Sequence, residues 1–199
     1  MSAKDFARLI DSARVRLPGA LDGAMKLELF AVLREFTQRS DAWRECIEIT
    51  TAPPEQEYDL VIDHRGLINR LIVVRDPTMP LQVTVPATLE RLGTVRLRNA
   101  PSTVATLVVE VAVTVNDPTD ISGLPYFPLQ LLQKYHNGLL DGLLSRMMTQ
   151  PAKPYSSEKG AMFHGRNFLN AINLAKRETR TANLFGGQAW RFPQTFRTR

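Results

Sequence analysis

Two short patterns in the sequence place reactive side chains at spacings known from catalytic sites. In the first, Ser156 is followed three residues later by Lys159, the spacing at which a lysine amine can deprotonate a serine hydroxyl. The companion motifs of that chemistry, Ser-Asp-Asn and Lys-Thr-Gly, are absent from the chain. A serine just after Pro154 is also expected as the residue that caps a helix. We favour the helix cap.

The second pattern is a pair of acidic residues, Asp117 and Asp120, in the segment Asn-Asp-Pro-Thr-Asp. Two carboxylates at this spacing can share a divalent cation. The same residues are expected without any metal in an Asx-Pro turn that closes a strand. We favour the turn.

The other residue types used in catalysis are scattered along the chain. His64, His136 and His164 stand apart and form no His-Glu-x-x-His motif. Glycine-rich phosphate loops, dinucleotide loops and a Gly-x-Ser-x-Gly elbow are also absent. Cys46 is the one cysteine, so no intrachain disulfide forms, and we expect a small buried apolar side chain there. The sequence therefore predicts a protein that is not an enzyme and that binds no metal and no cofactor.

Positive charge is concentrated in the last third of the chain. Residues 134–199 contain 11 Lys+Arg and 3 Asp+Glu, whereas residues 1–133 contain 14 and 17. This asymmetry favours a negatively charged partner, either DNA or an acidic protein surface. The candidate residues for that contact are Arg166, Lys176, Arg177 and Arg180. The alternative is a basic helix face that only contacts water.

The segment 184–199 combines large apolar side chains with glycine and arginine. Gly186 and Gly187 disfavour a helix there. Five apolar side chains are too many for a solvated tail: Leu184, Phe185, Trp190, Phe192 and Phe196. An extended arm that docks by backbone pairing and anchor pockets has this composition. The alternative is that the segment packs back on its own domain.

Apolar spacing predicts two helices at the start of the chain, together covering residues 2–39. The first begins with Ser2 as its cap and runs to about Arg16. The second begins with Asp22 as its cap and runs to about Arg39.

Helical spacing returns over residues 129–180, with a break at Pro151 and Pro154. Ser156 or Ser157 is placed to cap the long last helix. That helix carries six large apolar residues: Met162, Phe163, Phe168, Leu169, Ile172 and Leu174.

Residues 58–115 are rich in β-branched side chains and predict a small antiparallel sheet. The predicted strands are Tyr58–Ile62, Leu67–Arg75, Gln82–Val85, Thr94–Leu97 and Thr106–Val115. The predicted fold class is α+β, a helical bundle with a central β insertion. One domain spans residues 1–183, and an extended C-terminal arm follows at 184–199.

The composition is that of an ordinary globular protein, with 44% apolar and 23% charged residues. No stretch approaches the roughly 20 apolar residues of a membrane span, and the first residues lack the apolar core of a signal peptide. We expect a protein that has no membrane association and is made and used in a cytoplasm.

The order of these elements carries further information. Two N-terminal helices precede a β-rich insertion that closes on TLVVEVAVTVNDP. A Gly-Leu-Leu helix, a Pro-x-x-Pro-aromatic-Ser break and a long helix centred on Phe168 follow over Leu139–Lys176, and the chain ends with FGGQAWRFPQ. This arrangement resembles the head-to-tail adaptor proteins of tailed bacteriophages, also called connector or neck proteins.

The resemblance implies a structural virion protein, assembled in the host cytoplasm. It would form a homo-oligomeric ring beneath the portal protein, commonly a dodecamer, with genome DNA passing through the lumen. The β region would join the next tail or neck protein, and the C-terminal arm would bind the portal. The implied portal-binding residues are Phe185, Gly186, Gly187, Gln188, Trp190, Arg191, Phe192, Pro193 and Phe196.

Two alternatives stay open at this point. The basic last third would also suit a DNA-binding protein that does not read base sequence, since no DNA-recognition motif is present. The β-rich middle would suit a tail terminator or tail-completion protein, which would bind the tail and not the portal.

Overall fold

The computed structural model describes residues 3–62, 66–78, 84–91, 93–116 and 126–182. Within them the chain is a mixed α+β fold with five helices and two small antiparallel sheets. The helices are α1 (Ala3–Arg14), α2 (Asp22–Ser40), α3 (Leu129–Lys134), α4 (His136–Met148) and α5 (Glu158–Ala182). The strands are β1 (Arg44–Thr50), β2 (Glu57–Asp59), β3 (Gly66–Arg75), β4 (Ala87–Arg91), β5 (Thr94–Leu97) and β6 (Thr106–Val115).

Helices α1 and α2 form where apolar spacing predicts them, but the cap of α2 differs from the prediction. Leu21 holds the cap position, and Asp22 makes no cap hydrogen bond. Both carboxylate oxygens of Asp22 instead accept hydrogen bonds of 2.8 Å from Arg14. Because this ion pair joins the end of α1 to the start of α2, it fixes the turn between them. Ser2, the predicted cap of α1, lies outside the described residues.

The first sheet has the order β1-β6-β3, with β6 as its central strand. The β insertion therefore begins at Arg44 and not at residue 58, and the prediction missed β1. All seven residues of β1 pair with β6, from Arg44 opposite Ala112 to Thr50 opposite Thr106. Charged residues in β1 obscure the alternation of apolar residues that would predict a strand. Its strand conformation is therefore specified mainly by pairing with β6.

The second sheet has the order β2-β5-β4, where the sequence predicted only one sheet. β4 was not predicted, because Thr-Leu-Glu-Arg has no strand signature of its own. The predicted strand Gln82–Val85 is reduced to an isolated bridge between Thr84 and Arg75, and residues 81–83 lie outside the described residues. The Val85 amide also donates to the Val74 carbonyl at 2.9 Å. These bonds hold the second sheet next to β3.

Helices α4 and α5 approach each other closely because α4 presents glycines at the contact. A Cβ added at Gly142 would lie 2.8 Å from Val32 Cγ1 and 2.9 Å from Phe168 Cδ2. A Cβ at Gly138 would collide with the Cβ of Ala171. The missing side chains let α4 lie against α2 and α5 at the same time.

The elements pack as a series from one end of the described molecule to the other. α5 lies on α4 and α2, α2 lies on β6, and the second sheet joins the first through β3 and β4. Apolar side chains from both the helices and the sheets form one continuous core. α5 and the second sheet are thus separated by α2, α4 and the first sheet.

Candidate interaction surface

The Ser156 hydroxyl is engaged by the loop that precedes α5. It donates to the Gln150 carbonyl and accepts a 3.1 Å hydrogen bond from the Lys153 amide. The capping residue of α5 is Ser157, whose hydroxyl accepts a 3.1 Å bond from the Gly160 amide. Both serines therefore organise the turn before α5, and Ser156 bonds to backbone groups instead of the Lys159 amine.

Of the histidines and the acidic pair, the structure describes only His136 and His164. His64, Asp117 and Asp120 lie outside the described residues. His164 pairs with Asp141, with Nδ1 and Oδ1 2.6 Å apart. Among the described residues, no group of three His, Cys, Asp or Glu side chains could hold a metal ion.

Cys46 is exposed, so the prediction of a buried side chain there is wrong. Side chains alternate between the two faces of a strand. Cys46 therefore lies on the opposite face from its less exposed neighbours Glu45 and Ile47. Desolvation by the sheet and the nearby Glu110 carboxylate both raise the pKa of the Cys46 thiol. A raised pKa keeps the thiol protonated and lowers its reactivity.

Three polar contacts fix the orientation of α5. His164 binds Asp141, and the Ser145 hydroxyl of α4 donates to the Ala161 carbonyl at 2.9 Å. Near the other end of α5, the Tyr135 hydroxyl donates to Glu178 Oε2 at 2.5 Å. Burial and this carboxylate raise the pKa of Tyr135 to about 12, so the hydroxyl remains a donor at neutral pH. α5 therefore presents a defined outer side.

That outer side carries large apolar side chains. Phe168 and Ile172 face inward and are 5% and 2% exposed. Four other large apolar residues of α5 are 56%, 61%, 40% and 40% exposed: Met162, Phe163, Leu169 and Leu174. A single exposed leucine is ordinary, but four large apolar residues on one helix side indicate a contact surface.

The predicted basic residues lie on or beside the same side of α5. Arg166, Arg177 and Arg180 are exposed, and Lys176 is half-buried. Within the described residues, the ion pairs of α5 involve only Glu178 and His164. We define the α5 outer face by six residues: Met162, Phe163, Arg166, Leu169, Leu174 and Arg177.

Some other basic residues of the described chain take part in ion pairs. Arg146 pairs with Glu35 at 2.9 Å and with Glu28 at 3.6 Å. Arg14 pairs with Asp22 at 2.8 Å. Arg166 and Arg177 make no ion pair within the described residues, so the α5 outer face carries positive charge.

The sequence shows that α5 is rich in apolar residues, but it does not identify the side of the helix that packs against the rest of the chain. The signal lies in the spacing: residues 161, 168, 172 and 175 fall on one side of a helix, and residues 162, 163, 166, 169, 174 and 177 fall on the other. Ala161 and Ala175 are small residues on the buried side, where α4 comes close. Two apolar sides on one helix predict two contacts.

The predicted portal-binding residues lie outside the described part of the chain. They are Phe185, Gly186, Gly187, Gln188, Trp190, Arg191, Phe192, Pro193 and Phe196. Their role stays a prediction.

No protein-family model matches this chain. No curated protein matches it either. In the part of the chain that the structure describes, no helix combines the length and apolar content that crossing a membrane requires.

Proposed function

We propose that this chain is a structural virion protein, a head-to-tail adaptor that forms a ring between the portal and the tail and continues the DNA channel. The observation that supports this role most directly is the α5 outer face. It combines exposed apolar residues with Arg166 and Arg177, and contact surfaces between proteins are enriched in apolar residues and arginine. A subunit that is held between other subunits needs such a face.

The separation of the helices from the two sheets also supports the adaptor proposal. The helices would form the bundle that docks at the portal, and the two sheets, at the other end of the packing series, would meet the next tail or neck protein. An adaptor has to bind different partners at its two ends, and this chain has different kinds of structure there.

The C-terminal arm, residues 184–199, would bind the portal protein. Phe185, Trp190 and Phe192 would be anchors in portal pockets, and Gly186 and Gly187 would let the backbone extend. We expect its large apolar side chains to gain their contacts from the portal.

Removal of the arm tests this assignment. We expect a chain ending at residue 183 to lose binding to purified portal protein, while its far-ultraviolet circular dichroism per residue stays that of a folded α+β protein. A matched control keeps the length of the arm and replaces only Trp190 and Phe192 by serine. Portal binding by the truncated chain at the affinity of the full chain would contradict the arm assignment.

A second candidate function, binding to DNA without base specificity, is favoured by the exposed positive charge of Arg166, Arg177 and Arg180. The four exposed apolar residues on the same helix argue against it, because a phosphate backbone offers them no contact. A DNA affinity that falls steeply with rising salt, and that is lost in Arg166→Glu/Arg177→Glu, would favour this second function.

A further inference from the structure

The α5 outer face needs a partner that is both apolar and negatively charged. Within the described residues, neither of its arginines makes an ion pair, although Arg177 contributes to lowering the pKa of the neighbouring Glu178. The segment 183–199 contains three arginines and no acidic residue, so like charges would meet if it covered this face. The segment 183–199 is therefore a poor electrostatic match for this face.

A complementary surface is present on β2, the short edge strand of the second sheet. Tyr58 of β2 and Leu60 just after it are buried, whereas residues 55, 57, 59 and 61, which alternate with them, are exposed. Val61 is 73% exposed and adds an apolar side chain to an acidic row. We call this surface the β2 edge and define it by Glu55, Glu57, Asp59 and Val61.

The negative charge of the β2 edge is only partly compensated. Arg96 lies 4.0 Å from Glu57, but it makes its short contact, 2.7 Å, with Glu90. Asp59 accepts a hydrogen bond from the Thr94 hydroxyl and has no ion pair within the described residues. Residues 55–61 contain three acidic residues and no basic residue. The β2 edge is therefore a local acidic row.

These two surfaces belong to elements that pack on different neighbours within one chain. α5 packs on α4 and α2, whereas the second sheet packs on β3. We propose that the α5 outer face of one copy docks on the β2 edge of a second copy of this chain. The inference rests on the proposed function and identifies the contact that would build its ring.

This contact joins two different surfaces. Each copy that docks through α5 still offers its own β2 edge to another copy, and the series ends only when it closes as a ring. Arginine and carboxylate side chains would set the register by charge-assisted hydrogen bonds, and the apolar residues of both surfaces would be removed from water.

Charge reversal of the full-length chain tests the proposal. The variants are Arg166→Glu/Arg177→Glu on the α5 outer face and Glu57→Arg/Asp59→Arg on the β2 edge. We expect each variant alone to self-associate at least about tenfold more weakly than wild type in sedimentation velocity. An equal mixture of the two variants should recover association, because each then offers the charge that the other lacks. All four positions are exposed, so folding should be kept.

Arg8→Glu/Arg16→Glu is the control, since it changes the charge by the same amount on exposed residues of the α1 region. It should associate like wild type. A wild-type chain that stays monomeric at every concentration, or variants that associate unchanged, or a mixture that fails to recover, would overturn the proposed contact. Loss of portal binding in the α5 variant without a change in self-association would assign the α5 outer face to the portal. Failure of the adaptor role would be seen separately, as absence of the chain from virus particles.

Discussion

Gly142 shows how a single residue sets the spacing of the helices. Its missing side chain leaves room for Val32 of α2 and for the ring of Phe168 of α5. Both neighbours are buried, at 0% and 5% exposure, so neither can move aside easily. The helix contact that orients α5, and with it the α5 outer face, depends on this glycine.

We expect Gly142→Ala to lower the free energy of unfolding by about 1–2 kcal/mol. The added methyl overpacks the contact at a cost of about 1–3 kcal/mol, and the better helix propensity of alanine returns up to about 1 kcal/mol. Urea unfolding followed by circular dichroism measures the difference. Gly23→Ala in α2 is the control, because a Cβ there meets nothing within 4 Å, and it should leave stability unchanged or raise it. Equal stability of Gly142→Ala and wild type would contradict the close packing.

Single-residue roles were the hardest part to predict from sequence. Asp22 stands where a cap is expected, yet it pairs with Arg14, which becomes its neighbour only when α1 and α2 have packed. Cysteine is a residue type that is usually buried, yet the position of Cys46 in β1 leaves it exposed. When a side chain has two possible local roles, its neighbours in the folded structure select one of them. Those neighbours are distant in the sequence and cannot be identified from it.

At the scale of elements, α5 is a helix with two apolar sides. The inner side packs on α4 and α2 and contributes Phe168 and Ile172 to the core. The outer side keeps Phe163 61% exposed. Because both sides of α5 carry a phenylalanine, the contribution of each side to stability can be measured by the same substitution.

We expect Phe168→Ala to lower the free energy of unfolding by about 3–5 kcal/mol, because it leaves a cavity in the core. Phe163→Ala should change it by less than about 0.5 kcal/mol, as is usual for exposed positions. Chemical denaturation of the two variants tests this difference. A large loss of stability in Phe163→Ala would show that the outer side belongs to the fold and is not a free contact surface.

Elements with a strong local pattern were predicted well. β6 and β5 have the predicted bounds, and α2 runs one residue beyond its predicted end. β1 and β4 were missed, since each becomes a strand only by pairing, β1 with β6 and β4 with β5. Local periodicity therefore predicts an element that is regular by itself and misses one that is specified by a neighbouring strand.

At the scale of the whole molecule, the α+β class is confirmed, whereas the division of the β residues into two sheets was not foreseen. The uneven distribution of charge along the chain was visible in the sequence, but the positions of the charged residues in the fold were not. The structure places exposed arginines on α5 and an acidic row on β2, on elements that pack on different neighbours. Sequence order alone could not show this placement.

The adaptor proposal makes a claim about composition of the virion. A ring subunit is present in a small fixed number of copies, whereas a tube or shell protein is repeated many times. Under this proposal, the α5 outer face and the C-terminal arm would together hold each copy between its neighbours and the portal.

Quantitative mass spectrometry of purified virus particles from the source of this sequence tests that claim most directly. The adaptor proposal predicts about twelve copies of this chain per particle, the number of a ring at the portal vertex. Hundreds of copies would indicate a tube or shell component and contradict the ring. Complete absence from the particles would contradict every structural role and leave DNA binding as the favoured function.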